Sequence, residues 1–267
     1  MRRTSGLVLT AATLLSFLGA SCSSDDNAGS ANTIADATAA RTVSGDVNVF
    51  AAASLTAAYT EIGDAFMADN PNAKVTFNFG SSSDLVTQIN EGAPADVYAS
   101  ADQVNMTKLT DAGGNAGEPR VFAANLLQII VEPGNPKGIT GVADLARPDV
   151  LYVTCAPEVP IGKYALQVLT NAGVTVAPVS LEENVKGIVT KVTLGEADAG
   201  IVYKTDVTAA GDQAGGVDIP DNINVVATYP VVATKAATNA EGAQAFIDFV
   251  VGEKGQAILA SYGLLAP

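Results

Sequence analysis

Two places in this chain share an arrangement in which a short apolar strand runs into small hydroxyl residues and then opens a helix. Residues 50–56 read Phe-Ala-Ala-Ala-Ser-Leu-Thr, and residues 79–85 read Phe-Gly-Ser-Ser-Ser-Asp-Leu. The start of a helix offers unpaired backbone N–H groups and a partial positive charge, and serine hydroxyls add further donors. A serine N-cap explains one such corner, but two corners in one region favour an oxyanion site built from neutral dipoles.

The order of the expected elements indicates an α/β fold with two lobes. Strands at 47–50, 75–79 and 96–99 alternate with helices, which is typical of a parallel sheet with helices on its faces. Ligands in such sheets bind at the carboxyl ends of the strands, where both serine corners lie. The pattern restarts near residue 126 with a strand expected over 126–131, so we expect a second lobe and a cleft between the two. We also expect a loop over 211–221 and a final helical region over about 243–260.

The N-terminus has the pattern of a secretory signal. Arg2 and Arg3 precede an apolar run over residues 6–20 that is too short for a membrane span. Cys22 follows as in bacterial lipoprotein signals, although Leu18 lies one position further from it than usual, and ordinary cleavage beside an incidental cysteine is the alternative. Small and polar residues over 23–45 predict a flexible tether. We therefore assign 1–21 to a signal peptide and 22–45 to a lipidated N-terminus with its tether.

Composition excludes several classes of function. The 267 residues include no histidine and two cysteines, and the net charge is −14. Ser-His-Asp and Cys-His nucleophile systems and histidine metal sites are therefore excluded, and so are a disulfide framework and a four-cysteine zinc site. The acidic balance argues against a nucleic-acid partner. Cys155 follows an apolar strand and is expected to be a buried thiol.

Five segments spread over the mature domain carry a family resemblance. They read VFAAASLT at 49–56, FGSSS at 79–83, GAPADVYASAD at 92–102, PEVPIGKYA at 157–165 and GIVY at 200–203. In this order they resemble the periplasmic molybdate-binding proteins of ABC importers, a branch of the two-lobed solute-binding superfamily. The resemblance implies a periplasmic-binding-protein fold, in which each lobe is a mostly parallel sheet flanked by helices. We assign 46–125 and 229–267 to lobe 1 and 126–228 to lobe 2, with the ligand in the cleft.

The resemblance also implies which residues bind the ligand. The two hydroxyl donors fall on Ser54 and on Ser82, the middle serine of the triple. Backbone N–H donors fall on Ile161, where other members often have alanine, and on Val185 at an expected helix start, and a phenol donor falls on Tyr203. A set made only of donors matches a tetrahedral dianion whose oxygens carry no proton, and it needs no lysine or arginine.

The family resemblance further implies an extracytoplasmic receptor that is not an enzyme and uses no cofactor, and in which no side chain coordinates a metal. The expected ligands are molybdate and tungstate, and the expected partner is an ABC permease. Because the chain lacks a G-x-x-x-x-G-K-[S/T] loop, the ATPase is expected on a separate subunit. We expect a monomer held at the outer face of the cell membrane by the lipid on Cys22.

Other interpretations remain open from the sequence. Sulfate is also a protonless tetrahedral dianion, whereas phosphate often keeps a proton and ferric iron would need clustered phenolates. A secreted α/β hydrolase or a structural lipoprotein belongs to a different class, and the chain has no G-x-S-x-G elbow for the former. Asp96, Asp102 and Glu158 lie near the expected site, but a carboxylate facing an anion is unfavourable, so we interpret them as structural.

Overall fold

The first described element of the chain is a strand that begins at the end of the expected tether. The computed structural model describes residues 43–267, so the expected signal peptide, Cys22 and most of the tether lie outside the described residues. Strand β1 (Ser44–Ala52) pairs in parallel with β2 (Asn72–Gly80) from Ser44 onward. Ser44 and Gly45, the last two positions of the expected tether, already pair in this sheet through main-chain groups that need no apolar side chain, and the extent of the tether stays a prediction.

The remaining helices and strands follow in chain order. They are α1 (Thr56–Asp69), α2 (Ser82–Asn90), β3 (Val97–Ala99), α3 (Gln103–Asp111), β4 (Asn115–Val131), β5 (Tyr152–Cys155), α4 (Pro160–Asn171), β6 (Ser180–Glu182), α5 (Val185–Thr193), β7 (Ala199–Tyr203), α6 (Lys204–Ala210), β8 (Gly215–Asp218), β9 (Val226–Thr234), α7 (Ala240–Val251) and α8 (Glu253–Ser261). Within residues 43–267, no helix combines the length and the apolar character that crossing a membrane requires.

The strands form one mixed sheet with two halves. The strand order is β2-β1-β3-β9-β4-β7-β5-β6, with β8 also paired to β4. Parallel pairs join β1 to β2 and β3 in the first half, and β5 to β6 and β7 in the second. The long antiparallel strands β4 and β9 link the halves.

Strand β4 changes partners along its length. It pairs with β9 up to Leu126 and with β7 from Leu127. The expected lobe boundary at 125/126 lies beside this change, and the division into lobes stays a prediction.

An aromatic cluster packs the first half of the sheet and fixes the position of α1. Tyr59, Ile62 and Phe66 of α1 are all buried, and their spacing of three and four residues places them on one face of the helix. The Tyr59 ring lies 5.7 Å from that of Phe122 and 6.0 Å from that of Phe246, measured between centroids. Burying each such side chain contributes about 1.5–3 kcal/mol. The cluster therefore holds the start of α1, where the first serine corner lies.

The structure corrects one expectation for the C-terminal third and refines another. The expected loop over 211–221 contains β8, because Gly215 and Gly216 let this short strand lie close against β4. The expected helical region over about 243–260 is confirmed, and it consists of two helices, α7 and α8. They are separated at Gly252, whose ψ of 171° is extended and ends the first helix.

Candidate functional site

The pocket that the sequence predicted lies where strands from both halves of the sheet end. Its walls include the ends of β1, β2 and β7 and the first residues of helices α2, α4 and α5. The empty volume is about 210 Å³, below the roughly 300–1,000 Å³ of pockets that hold drug-sized ligands. The five expected site residues, Ser54, Ser82, Ile161, Val185 and Tyr203, all line it. Their role as ligand-binding residues stays a prediction.

The first corner places Ser54 in a single 3-10 turn between β1 and α1. This turn spans Ala53–Leu55, and Leu55 is fully buried while Ser54 remains partly exposed on the pocket. The Ser54 Oγ atom lies 3.2 Å from the hydroxyl oxygen of Tyr229, and either atom can donate. The buried Leu55 therefore holds the turn in place, and the turn makes the Ser54 hydroxyl face the pocket.

In the second corner, the three consecutive serines have different roles. Ser81 is the N-cap of α2, and its Oγ accepts from the Asp84 N–H at 3.2 Å. The Ser83 Oγ pairs with the Ser81 Oγ at 3.1 Å. The Ser82 Oγ instead accepts from the Ala101 N–H at 3.0 Å. Because this contact uses only a lone pair of Ser82, the hydroxyl keeps a proton that it can donate.

Two helices of the second half present their first turns to the pocket. Helix α4 begins with Pro160, so Ile161 carries its first N–H, and the first-turn N–H groups of a helix have no intrahelical acceptor. Helix α5 begins at Val185, and the Asn184 side chain caps it by accepting from the Lys186 N–H at 2.9 Å. This cap leaves the Val185 N–H available, so both helices contribute main-chain donors.

Close packing of α4 depends on a glycine in its first turn. A Cβ on Gly162 would overlap the carbonyl oxygens of Cys155 and Ala156, which belong to the end of β5 and the loop that follows it. No bulkier residue fits without moving the helix. Gly162 therefore sets how near the Ile161 N–H comes to the pocket, a role that the sequence analysis did not assign to it.

Tyr203 ends β7 and supplies an unused hydroxyl. The side chain is 1% exposed, and among residues 43–267 its oxygen is one of five buried side-chain polar atoms without a hydrogen-bond partner. Burial raises the pKa of Tyr203 well above its usual range, so the phenol stays protonated. A buried donor without an acceptor is costly, and a ligand oxygen in the pocket would satisfy it.

The described lining of the pocket carries no formal charge, and its polar groups favour an anion over a cation. Within the described part of the chain, no lysine, arginine, aspartate or glutamate lines it. The positive ends of three helix dipoles and the serine and tyrosine hydroxyls supply the favourable potential. All of these groups can donate hydrogen bonds to a bound anion, so the arrangement suits an ion with acceptors on every side.

Three acidic residues near the site have structural partners, as the sequence analysis interpreted them. Asp96 accepts from the Asn48 N–H at 2.7 Å and from the Thr238 N–H at 2.6 Å. Asp102 caps α3 and lies 3.9 Å from the Lys163 Nζ. Glu158 is exposed, and its main-chain oxygen accepts from the side chain of Asn105 at 3.4 Å.

The structure also bears on metal binding and on the free thiol. No group of three or more histidine, cysteine or acidic residues in 43–267 is arranged to hold a metal ion. Cys155 is buried, which confirms the expected thiol at the end of a strand, and burial raises its pKa to about 12. A thiol with so high a pKa is almost never a thiolate at neutral pH and is a poor nucleophile.

Comparisons with known proteins give the site a family context. Residues 47–265 match the family described as bacterial extracellular solute-binding protein. The molybdate-binding protein ModA of Mycobacterium tuberculosis (strain ATCC 25618 / H37Rv) is 40% identical over 219 residues, which cover 82% of this chain and 84% of the relative.

Two solved structures share the fold. The Azotobacter vinelandii periplasmic molybdate-binding protein superposes with a TM-score of 0.72 at 24% identity, covering 83% of this chain and 99% of that one. The sulfate-binding protein SubI from Mycobacterium tuberculosis H37Rv has a TM-score of 0.76 at 19% identity, with coverage of 82% and 86%. At these identities both show the fold alone, and they confirm the expected two-lobed α/β class.

Proposed function

The chain belongs to the family of bacterial extracellular solute-binding proteins, and from this premise we propose that it captures molybdate, and tungstate with it, for an ABC importer. Proteins of this family are receptors, so the expectation that the chain is not an enzyme agrees with its family. The oxyanion is the transported ligand and not a cofactor. The relative that is 40% identical carries the name of a molybdate-binding protein.

The observation that carries this proposal is a pocket lined by donors with an unused buried hydroxyl. Molybdate and tungstate present four oxygens that accept hydrogen bonds and carry no proton. The Ser54 and Ser82 hydroxyls, the Ile161 and Val185 amides and the Tyr203 phenol can all donate to such oxygens. A ligand that kept a proton, as phosphate often does, would need an acceptor facing it. Sulfate fits the same chemistry with a smaller ion and is the alternative ligand.

The arrangement of the donors supports capture by closure. Both serines come from the first half of the sheet, while the two amides and the phenol come from the second. An ion held by both sides stabilises the closed arrangement over any open one, which shifts the population toward closure. We propose that the closed receptor delivers its ion to a membrane permease whose ATPase is a separate subunit.

The proposed placement is extracytoplasmic, as a monomer anchored by a lipid on Cys22. The basic start, the short apolar run and the cysteine support this anchor. Mass spectrometry of the N-terminus of the protein purified from its native membrane tests it. We expect the chain to start at Cys22 with acyl groups attached, and a chain that starts elsewhere or carries an unmodified Cys22 would overturn the anchor.

Calorimetric titration of the purified protein tests the ligand. We expect molybdate and tungstate to bind at one site per chain, sulfate to bind more weakly and phosphate to give no heat of binding. Tighter binding of sulfate than of molybdate would replace the proposal with the sulfate alternative. Binding of an organic solute in the absence of any oxyanion binding would reject both.

A further inference from the structure

A buried tyrosine that the sequence analysis did not single out contacts donors on both sides of the pocket. Tyr229 lies on β9, one of the two strands that link the halves of the sheet, and is 0% exposed. Its hydroxyl oxygen lies 3.2 Å from the Ser54 Oγ. Its ring packs against that of Tyr203, with 5.7 Å between the centroids. Tyr229 itself does not line the pocket, so any effect on a ligand passes through these neighbours.

A hydrogen bond between two hydroxyls has two possible directions, and burial selects one of them. Within residues 43–267, the Tyr229 hydroxyl has two side-chain neighbours, the Ser54 Oγ at 3.2 Å and Asn125. The Asn125 hydrogen bond lowers the phenol pKa, so Asn125 donates to the phenol oxygen and does not accept its proton. If Ser54 donated to Tyr229, the proton of a fully buried phenol would have no acceptor, which is costly. If Tyr229 donates, its proton is satisfied, and the proton of the partly exposed Ser54 turns toward the pocket.

The other serine of the pocket is arranged on the same principle. The Ser82 Oγ accepts from the Ala101 N–H at 3.0 Å, and an N–H group can only donate. Ser82 therefore has a lone pair occupied by the protein and a proton left for the ligand. By this comparison, the Tyr229 phenol is the donor to the Ser54 Oγ, just as the Ala101 N–H is the donor to the Ser82 Oγ. Burial also raises the pKa of Tyr229, so the phenol keeps its proton.

We propose that Tyr229 is a positioning residue that donates to the Ser54 Oγ and so directs the serine proton at the bound oxyanion. This inference rests on the proposed function, because it assigns the direction of a hydrogen bond within that site. Its consequence is a donor chain from Tyr229 through Ser54 to the ligand. Neighbouring hydrogen bonds in such a chain strengthen one another.

A double-mutant cycle tests the inference, with molybdate titrated into the full chain. Tyr229→Phe keeps the ring and its packing against Tyr203 and should weaken binding about three- to tenfold, as expected for one neutral hydrogen bond. Ser54→Ala should weaken it about ten- to a hundredfold. In the Ser54→Ala background, Tyr229→Phe should change the affinity by less than about twofold, because the proton that it directs is gone. Tyr59→Phe is the matched control, since that hydroxyl is also buried and has no partner in the structure.

The outcomes separate this inference from the proposed function. If wild-type protein binds molybdate and Tyr229→Phe binds it equally well, the positioning role is overturned and the function stands. Losses that add fully in the double variant would also overturn the role, since they would show that Tyr229 acts through packing. If the wild type binds no molybdate, tungstate or sulfate, the proposed function falls and this inference falls with it.

Discussion

The two sides of the pocket supply their donors in different ways. In the first half of the sheet, Ser54 and Ser82 use side-chain hydroxyls that already hold a protein partner, Tyr229 in one case and the Ala101 N–H in the other. In the second half, Ile161 and Val185 offer main-chain N–H groups of helix starts, and Tyr203 offers a hydroxyl that has no hydrogen-bond partner among residues 43–267.

The serine hydroxyls are therefore preorganised, whereas the Tyr203 hydroxyl is a buried donor that still needs an acceptor. The serines are oriented before a ligand arrives, so their contacts serve the fold and the site together. The Tyr203 hydroxyl contributes nothing to the folded protein until an acceptor reaches it. Substitutions on the first side should therefore change both stability and affinity, whereas loss of the phenol on the second side should change affinity alone.

The largest expected effect on affinity comes from displacing a main-chain donor, the Ile161 N–H. Replacing the Ile161 side chain would leave this N–H in place, so the helix itself must be moved. Gly162→Ala would force α4 away from the end of β5, because the new Cβ overlaps main-chain carbonyl oxygens. Loss of one or more charged hydrogen bonds together with the shifted helix should weaken molybdate binding by more than about a hundredfold. Calorimetry measures this affinity, and circular dichroism shows whether the variant is folded.

Gly141→Ala is the control for this substitution. An added Cβ at Gly141 meets no atom of the described residues within 4 Å, and its φ of −178° suits any residue. It should bind molybdate like the wild type. A folded Gly162→Ala variant with unchanged affinity would show that the start of α4 is not part of the site.

The second-largest effect combines affinity with stability. Ser82→Ala removes a donor to the ligand and leaves the buried Ala101 N–H without its acceptor. We expect binding to weaken about ten- to a hundredfold and the free energy of unfolding to fall by about 1–3 kcal/mol. Titration calorimetry and urea unfolding measure the two quantities. Ser83→Ala is the control, since the Ser83 hydroxyl pairs with Ser81 and does not line the pocket, and it should lose less affinity.

Removing the phenol hydroxyl on the other side should change affinity only. Tyr203→Phe should weaken molybdate binding over the same range as Ser82→Ala, about ten- to a hundredfold. Because the hydroxyl has no hydrogen-bond partner in the described part of the chain, the melting temperature without ligand should stay the same or rise. A clear loss of stability in this variant would remove the distinction between the two sides of the pocket.

The sequence predicted those parts of the site whose side chains form a recognisable pattern. Two strand-serine-helix corners are visible as patterns, and the structure brings Ser54 and Ser82 to one pocket. Ile161 and Val185 were reached only through the family resemblance, because every residue except proline has a main-chain N–H and composition cannot mark the ones at a pocket. Tyr229 was missed for another reason: its contact with Ser54 spans 175 positions, and no local pattern encodes such a pairing.

The fold was predictable to a similar degree. Periodicity located α1 and the buried strands, since their apolar residues face one core. Strand β4 was expected to begin at residue 126 but begins at Asn115, because its first part is polar, contains Gly117 and Pro119, and is largely exposed where it pairs with β9. A strand that pairs through main-chain groups while its side chains stay exposed needs no apolar pattern, so hydrophobic periodicity does not reveal it. Strand β8 was missed for the same reason.

The smallest expected effect is that of pH on binding, because none of the pocket donors titrates near neutrality. The Tyr203 phenol must be protonated to donate, and burial raises its pKa well above the usual value near 10. The chain also has no histidine. The dissociation constant for molybdate should therefore change by less than about twofold between pH 7 and 9, measured by calorimetry.

Stability should respond to pH only at higher values, and the sign follows from the raised pKa. The unfolded phenol releases its proton near pH 10 and the buried one does not, so the stability that depends on this group is complete below pH 10 and is lost as the pH rises through the folded-state pKa. Urea unfolding at pH 9 to 11 should show this decline, and Tyr203→Phe should reduce it. An affinity that fell between pH 7 and 9 in the wild type but not in Tyr203→Phe would mean that the phenol ionises near neutrality, and the two sides of the pocket would then differ in charge as well as in the origin of their donors.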